Sequence, residues 1–89
     1  MRSDERVARQ VGKALRRVRV ERGMPMKALA RRAGITLPTL SMYECGHQCP
    51  MLPNLVAMLQ ALGCTAEDFG KHLGGPWGCL DAPPEPHAA

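Results

Sequence analysis

The 89-residue chain has few aromatic side chains, with one Phe, one Trp and one Tyr, so its core must be built from Leu, Val, Ala and Met. It also lacks a long apolar run. The longest covers residues 55–59, whereas a membrane-spanning helix needs about 20 residues. No apolar segment typical of a secretory signal occurs among the first residues, which read Met-Arg-Ser-Asp-Glu-Arg. We therefore expect neither a membrane protein nor a secreted one, and we predict a cytoplasmic location.

Signals for strands and for nucleotide chemistry are missing as well. The sequence shows no sustained period-2 alternation and no Asn-Gly or Asp-Gly hairpin turn, so it predicts no β-structure. It has no glycine-rich phosphate loop, and 89 residues are too few for a βαβ nucleotide-binding fold. We expect one small all-α domain that is not an enzyme and needs no cofactor.

Positive charge is concentrated in the first third of the chain. Residues 1–32 hold eleven Lys and Arg against three acidic residues, a net charge of +8. Residues 33–89 hold one Lys against five acidic residues, a net charge of −4. This asymmetry indicates an anionic partner, with nucleic acid favoured over an acidic membrane surface. The alternative is a solvated helix face that only aids solubility.

Apolar spacing predicts five short helices, over residues 4–22, 25–33, 37–45, 52–62 and 65–73. Glycines follow the first four, as is typical of helix C-termini. The apolar face of the first helix lies opposite a basic stripe made of Arg2, Arg6, Arg9, Lys13, Arg16 and Arg17. The fourth helix is nearly all apolar and is expected to be the most buried. Residues 4–73 then form the domain, and residues 74–89 form a Gly/Pro-rich tail that cannot pack as a core.

The break between the second and third helices has the length of a helix-turn-helix. Around it the sequence resembles the Xre/Cro-type helix-turn-helix regulators over about residues 7–70. The matching positions are Leu15 to Gly23, Leu29, Ala30, Gly34, Ile35, Thr36, Thr39, Leu40, Ser41, Tyr43, Glu44, Gly46, Pro50 and Ala61 to Gly63.

The resemblance implies a compact lambda-repressor-like five-helix fold and a transcriptional regulator, predicted here to be a repressor. Such a protein binds double-stranded DNA, usually as a homodimer on a two-fold operator. Its third helix would enter the major groove while the second lies across the backbone. The resemblance also implies a structural ion pair between Arg19 and Glu44. Membrane is not among the expected partners.

The third helix contains no Lys, Arg, Asn or Gln, the residues that recognise guanine or adenine with paired hydrogen bonds. One hypothesis is that Leu37, Pro38 and Met42 contact thymine methyl groups, with Thr39 and Ser41 giving single hydrogen bonds and DNA shape adding specificity. Affinity would come from phosphate contacts. Their predicted donors are Lys27, His47, Gln48, Arg16 or Arg17, and the backbone at the starts of the second and third helices, near Met26 and Thr36.

A second hypothesis gives the same surface to a protein. Met26, Leu37, Pro38 and Met42 would then form an exposed apolar patch that binds another regulator through the third helix. The simplest alternative is that some of these side chains pack within the domain.

Four cysteines are many for such a chain, and Cys64 is expected in the core. Cys45, Cys49 and Cys79, with His47, are candidates for a redox switch or a metal site, but their spacing is not that of a zinc site. Unmodified thiols and no metal are the main expectation. Trp77, alone in a Gly/Pro-rich stretch, is expected to fold back over the domain or to join a dimer interface.

Overall fold

A computed structural model of the protein describes the backbone of residues 3–73 and the side chains of residues 5–73. It contains the helices α1 (Ser3–Glu21), α2 (Met26–Ala33), α3 (Leu37–Glu44), α4 (Leu52–Leu62) and α5 (Ala66–Leu73). Residues 3–73 form no strand. The all-α prediction is confirmed, and no predicted helix end is displaced by more than one residue.

The turn between α2 and α3 is built from local backbone chemistry. Gly34 adopts the left-handed conformation, with φ of 73°, and ends α2. Two residues later Thr36 begins α3, because its side-chain oxygen accepts a hydrogen bond from the backbone N–H of Thr39 at 3.2 Å. The short turn fixes α3 relative to α2. Pro25 has extended dihedral angles and precedes α2, so it is the cap and not, as predicted, the first helical residue.

The core lies between α1 and the other four helices. Helix α1 packs against α3 and α5, and α2 packs against α3 and α4. The buried core side chains are Ala8, Val11, Ala14, Leu15, Val18, Leu29, Ala30, Leu40, Tyr43, Met58, Leu59, Leu62, Cys64, Phe69 and Leu73. Helix α1 supplies more of them than any other helix, because its apolar face is covered from two sides.

The expectation that α4 is the most buried helix is wrong. Only its C-terminal half, at Met58, Leu59 and Leu62, is buried. Leu52 is 71% exposed and Val56 is 42% exposed. Apolar residues surround α4, but α2 covers only one of its faces. Packing of the core therefore does not explain why the exposed face of α4 is apolar.

The end of α3 approaches the backbone of α1 closely at Gly12. A methyl group built on Gly12 would lie well inside the van der Waals contact distance of the Tyr43 carbonyl oxygen and 2.9 Å from that of Glu44. Gly12 is therefore the residue that allows the end of α3 to rest directly on the backbone of α1.

A partly buried ion pair joins the same two helices. Arg19 Nε donates to Glu44 Oε2 at 2.7 Å, and Arg19 Nη2 donates to Glu44 Oε1 at 3.1 Å. The third nitrogen, Nη1, donates to the carbonyl oxygen of Met24 at 3.0 Å. The side chains are only 13% and 6% exposed. One guanidinium thus holds α1, the turn before α2 and the end of α3 together.

No helix within residues 3–73 is both long and apolar enough to cross a membrane. The tail at 74–89, with Trp77 and Cys79, lies outside the described residues.

Candidate nucleic-acid interface

The outward face of α3 is mostly apolar. Leu37, Pro38 and Met42 are exposed, whereas Leu40 and Tyr43, on the opposite face, are buried. The residues that face outward recur at helical spacing and are Leu37, Pro38, Ser41, Met42 and Cys45. We call these five residues the α3 outer face. It offers hydrocarbon contacts, one hydroxyl and one thiol to whatever binds there.

Ser41 lies where two clefts meet. The first cleft, between α1, α2 and α3, is lined by Arg16, Arg19, Met26, Ser41, Glu44 and Cys45. The second, beside the end of α3, is lined by Ser41, Met42, Cys45 and His47. Because the clefts share Ser41 and Cys45, the predicted residues Arg16, Met26, Met42 and His47 lie on one continuous surface.

The start of α2 adds backbone donors to this surface. Pro25 makes no side-chain hydrogen bond to the helix, so the first-turn N–H groups receive no acceptor from the cap. No acidic residue lies in that turn, and Lys27 within it is exposed. Unpaired N–H groups, the helix dipole and a lysine together favour an anion such as a phosphate.

The start of α3 is arranged differently. The Thr36 hydroxyl donates to Thr39 Oγ1 at 2.8 Å while accepting from the Thr39 N–H. The two threonine hydroxyls are thus ordered relative to each other, and the Thr39 hydroxyl proton is available for an acceptor. After α3, His47 and Gln48 are both exposed.

The two candidate arginines, which are neighbours on α1, make different contacts with the rest of the domain. Arg16 lines the first cleft beside Met26 and Ser41. Arg17 instead directs Nη1 to the carbonyl oxygen of His72 on α5, at 3.4 Å. Both side chains line a shallow groove of α1, but Arg16 also lines the cleft at α3, whereas Arg17 contacts α5.

The apolar patch is smaller than the sequence predicts. Met26 is only partly exposed, and its side chain packs against the hydrophobic core. Leu37, Pro38 and Met42 remain exposed. Met26 therefore forms the edge of the patch, because the first turn of α2 rests on the core.

The described cysteines differ in exposure. Cys45 and Cys49 are exposed free thiols, and Cys64 is buried, as predicted. Desolvation raises the pKa of Cys49. Desolvation also raises the pKa of Cys64, with Arg22 opposing this shift and Asp68 and Glu21 adding to it. A raised pKa keeps a thiol protonated, whereas thiols that sense oxidants depend on the thiolate.

The metal candidates are not brought together. Within the described part of the chain, no group of three His, Cys, Asp or Glu side chains could hold a metal ion. Cys79 lies outside it. The sequence prediction also missed one member of the surface, because it gave Cys45 only as a redox or metal candidate. Its spacing of four residues from Ser41 would have placed it on the α3 outer face.

The chain matches the model of a known protein family. The family model described as helix-turn-helix matches residues 15–69, which is more than half of the chain. The matched stretch begins within α1 and ends within α5, so it includes both clefts and the α3 outer face. No curated protein matches the chain.

Proposed function

Because the chain belongs to the Xre/lambda-repressor-type helix-turn-helix family, a family of DNA-binding transcription regulators, we propose that it is a repressor that reads an operator with α3. One observation carries the proposal: the α3 outer face is continuous with Arg16 and with the start of α2. A surface of this kind joins base-reading side chains to phosphate-binding groups. The protein would act in the cytoplasm by binding alone, without catalysis or a cofactor.

Base readout would depend on apolar contacts. Leu37, Pro38 and Met42 would touch thymine methyl groups, and Ser41 and Thr39 would each give one hydrogen bond. Since no side chain of α3 can form the paired hydrogen bonds that select guanine or adenine, DNA shape would carry part of the specificity.

Phosphate contacts would supply most of the affinity. The backbone N–H groups that begin at Met26, together with Lys27, would hold one phosphate. Arg16 would reach another from the opposite side of the first cleft, and His47 and Gln48 would bind the backbone beyond α3. Arg17, held at α5, would contribute only through the long-range field.

Fluorescence anisotropy with the DNA upstream of the protein's own gene, and with a scrambled duplex, tests the proposal. We expect the upstream duplex to bind at least about 10³-fold more tightly at physiological salt. Lys27→Ala should weaken binding to both duplexes about tenfold. It should also reduce the number of counterions released on binding, given by the slope of log K against log salt concentration, by about one. Ser41→Ala should weaken binding to the upstream duplex alone.

Lys71→Ala is the matched control, because it removes the same charge from an exposed site on α5. It should leave both affinities nearly unchanged. Equal binding of the two duplexes, with equal loss as salt rises, would contradict operator reading. The exposed Leu37, Pro38 and Met42 would then favour the alternative function, a module that binds another regulator through α3.

We also propose that the protein acts as a homodimer through the exposed start of α4. Met51 and Leu52 are the most exposed large apolar residues described, and Val56 lies one turn after Leu52. An apolar patch that meets its own copy across a two-fold axis satisfies both subunits at once. A dimer would also match an operator with two half-sites.

Leu52→Lys should weaken self-association at least about tenfold, because it removes an apolar contact and places a charge at the two-fold axis. Sedimentation over a range of protein concentrations measures this change. Val20→Lys, which places the same charge at an exposed valine of α1, is the control and should leave the association unchanged. Equal association of both variants would place the interface elsewhere.

A further inference from the structure

We propose that residues 74–89 dock on a cationic groove of α1 within the same molecule. The groove is lined by Lys13, Arg16, Arg17, Val20 and Glu21, and we call it the α1 groove. The inference goes beyond DNA binding and does not depend on it, since it concerns how the chain covers its own surface.

The α1 groove is shallow and combines three cations with one exposed apolar side chain. Lys13, Arg16 and Arg17 are exposed, and Val20, one turn after the two arginines on α1, is 59% exposed. The groove holds one acidic residue, Glu21, against three cations, and His72 Nε2 lies 3.1 Å from Glu21 Oε1. An occupant that carries carboxylates and a large apolar side chain would therefore fit this groove best.

Residues 74–89 leave the described fold at the edge of the groove. Helix α5 ends at Leu73, and the residue before it contacts α1 twice. The His72 carbonyl oxygen accepts from Arg17 Nη1 at 3.4 Å, and the His72 ring bonds to Glu21. The segment is therefore attached to the fold close to Arg17 and Glu21, which both line the groove.

The composition of this segment matches the groove. Residues 74–89 include Asp81 and Glu85 but no Lys or Arg, and they contain the only Trp of the chain, Trp77. An indole can cover an exposed valine and stack on a guanidinium. Each carboxylate could pair with a cation of α1, an interaction that is weak when the partners are separate molecules.

The segment is long enough to reach the α1 groove, and its covalent attachment compensates for the weakness of each ion pair. From Lys13 to Val20 the helix rises about 10 Å. Trp77 is four residues beyond Leu73, a reach of up to about 14 Å, and Asp81 and Glu85 reach farther. A short tether raises the effective concentration of the segment to about millimolar. A free peptide, a second copy or a nucleic acid has no such advantage at this groove.

Trp77 fluorescence in the full chain, without DNA, tests the proposal. In the unaltered protein we expect blue-shifted emission and protection from acrylamide. The double variant Lys13→Glu/Arg17→Glu should red-shift the emission and increase quenching at least about twofold. Asp81→Lys/Glu85→Lys should do the same. Combining the four substitutions should restore protection, because the charges then attract again with opposite signs.

Arg31→Glu/Arg32→Glu is the matched control, since it reverses two exposed charges on α2. It should leave Trp77 protected, and circular dichroism should show helical folding for every variant.

Three outcomes would overturn the proposal. Trp77 in the unaltered protein could be quenched as strongly as in a free 74–89 peptide. Its protection could persist in the α1 variants. It could also be lost on dilution, which would assign the indole to a second copy.

Discussion

Gly12→Ala is expected to lower the free energy of unfolding by about 3 kcal/mol. The methyl group would collide with the carbonyl oxygens of Tyr43 and Glu44 at the end of α3. Backbone carbonyl groups cannot rotate away as a side chain can, so α1 and α3 must separate. Since α3 carries the proposed DNA-reading residues, DNA affinity should fall along with stability.

The expected loss of stability is opposite to the change that helix propensity predicts for Gly12→Ala. Alanine is the better helix former by about 1 kcal/mol, so local propensity alone predicts stabilisation in the middle of α1. Urea unfolding followed by circular dichroism measures the change. Gly63→Ala is the control, because its added methyl group meets nothing within 4 Å and only the positive φ of 68° is strained. It should cost about 1 kcal/mol. A stabilising Gly12→Ala would contradict the close approach of the two helices.

Arg19→Met should also cost about 3 kcal/mol, because it leaves the carboxylate of Glu44 buried without its cation. It removes the hydrogen bond to the Met24 carbonyl oxygen as well. The double variant Arg19→Met/Glu44→Met should recover most of the loss, since two well-packed apolar side chains replace a buried pair at little net cost.

A double-mutant cycle in urea isolates the pair from the rest of the fold. Arg22→Met is the matched control, because Arg22 is exposed and its side chain donates a single long hydrogen bond within residues 5–73, 3.4 Å from Nη2 to the Gly63 carbonyl oxygen. Its expected cost is below about 0.5 kcal/mol. If Arg19→Met is no more costly than Arg22→Met, the bidentate pair contributes nothing to stability despite its burial.

The sequence predicts the helices and their ends because the signals for them are local. Gly34 and Thr36 specify the turn before α3 through their own backbone and side-chain chemistry. The burial of α4 could not be predicted in this way. Its apolar residues surround the helix, and only the position of α2 decides which of them, such as Met58 but not Leu52, become core.

In the candidate site, too, local spacing could be predicted from the sequence, whereas tertiary packing could not. Helical spacing alone predicts that Leu37, Pro38, Ser41 and Met42 share one face of α3. The contact of Arg17 with His72 depends on where α5 packs, and the partial burial of Met26 depends on how α2 meets the core. In the sequence, Gly12 is an isolated glycine inside a helical pattern. Such a glycine often indicates close packing, but the sequence does not show that α3 is the element packed against it.

In the proposed function the two faces of α3 have separate roles. Leu40, Tyr43 and Glu44 hold the helix in place, whereas Leu37, Pro38 and Met42 are not part of the core cluster. We therefore expect substitutions on the outer face to cost less stability than substitutions on the buried face. During evolution, substitutions at these few positions could change the target sequence without unfolding the domain. Target recognition and stability can then change almost independently within one eight-residue helix.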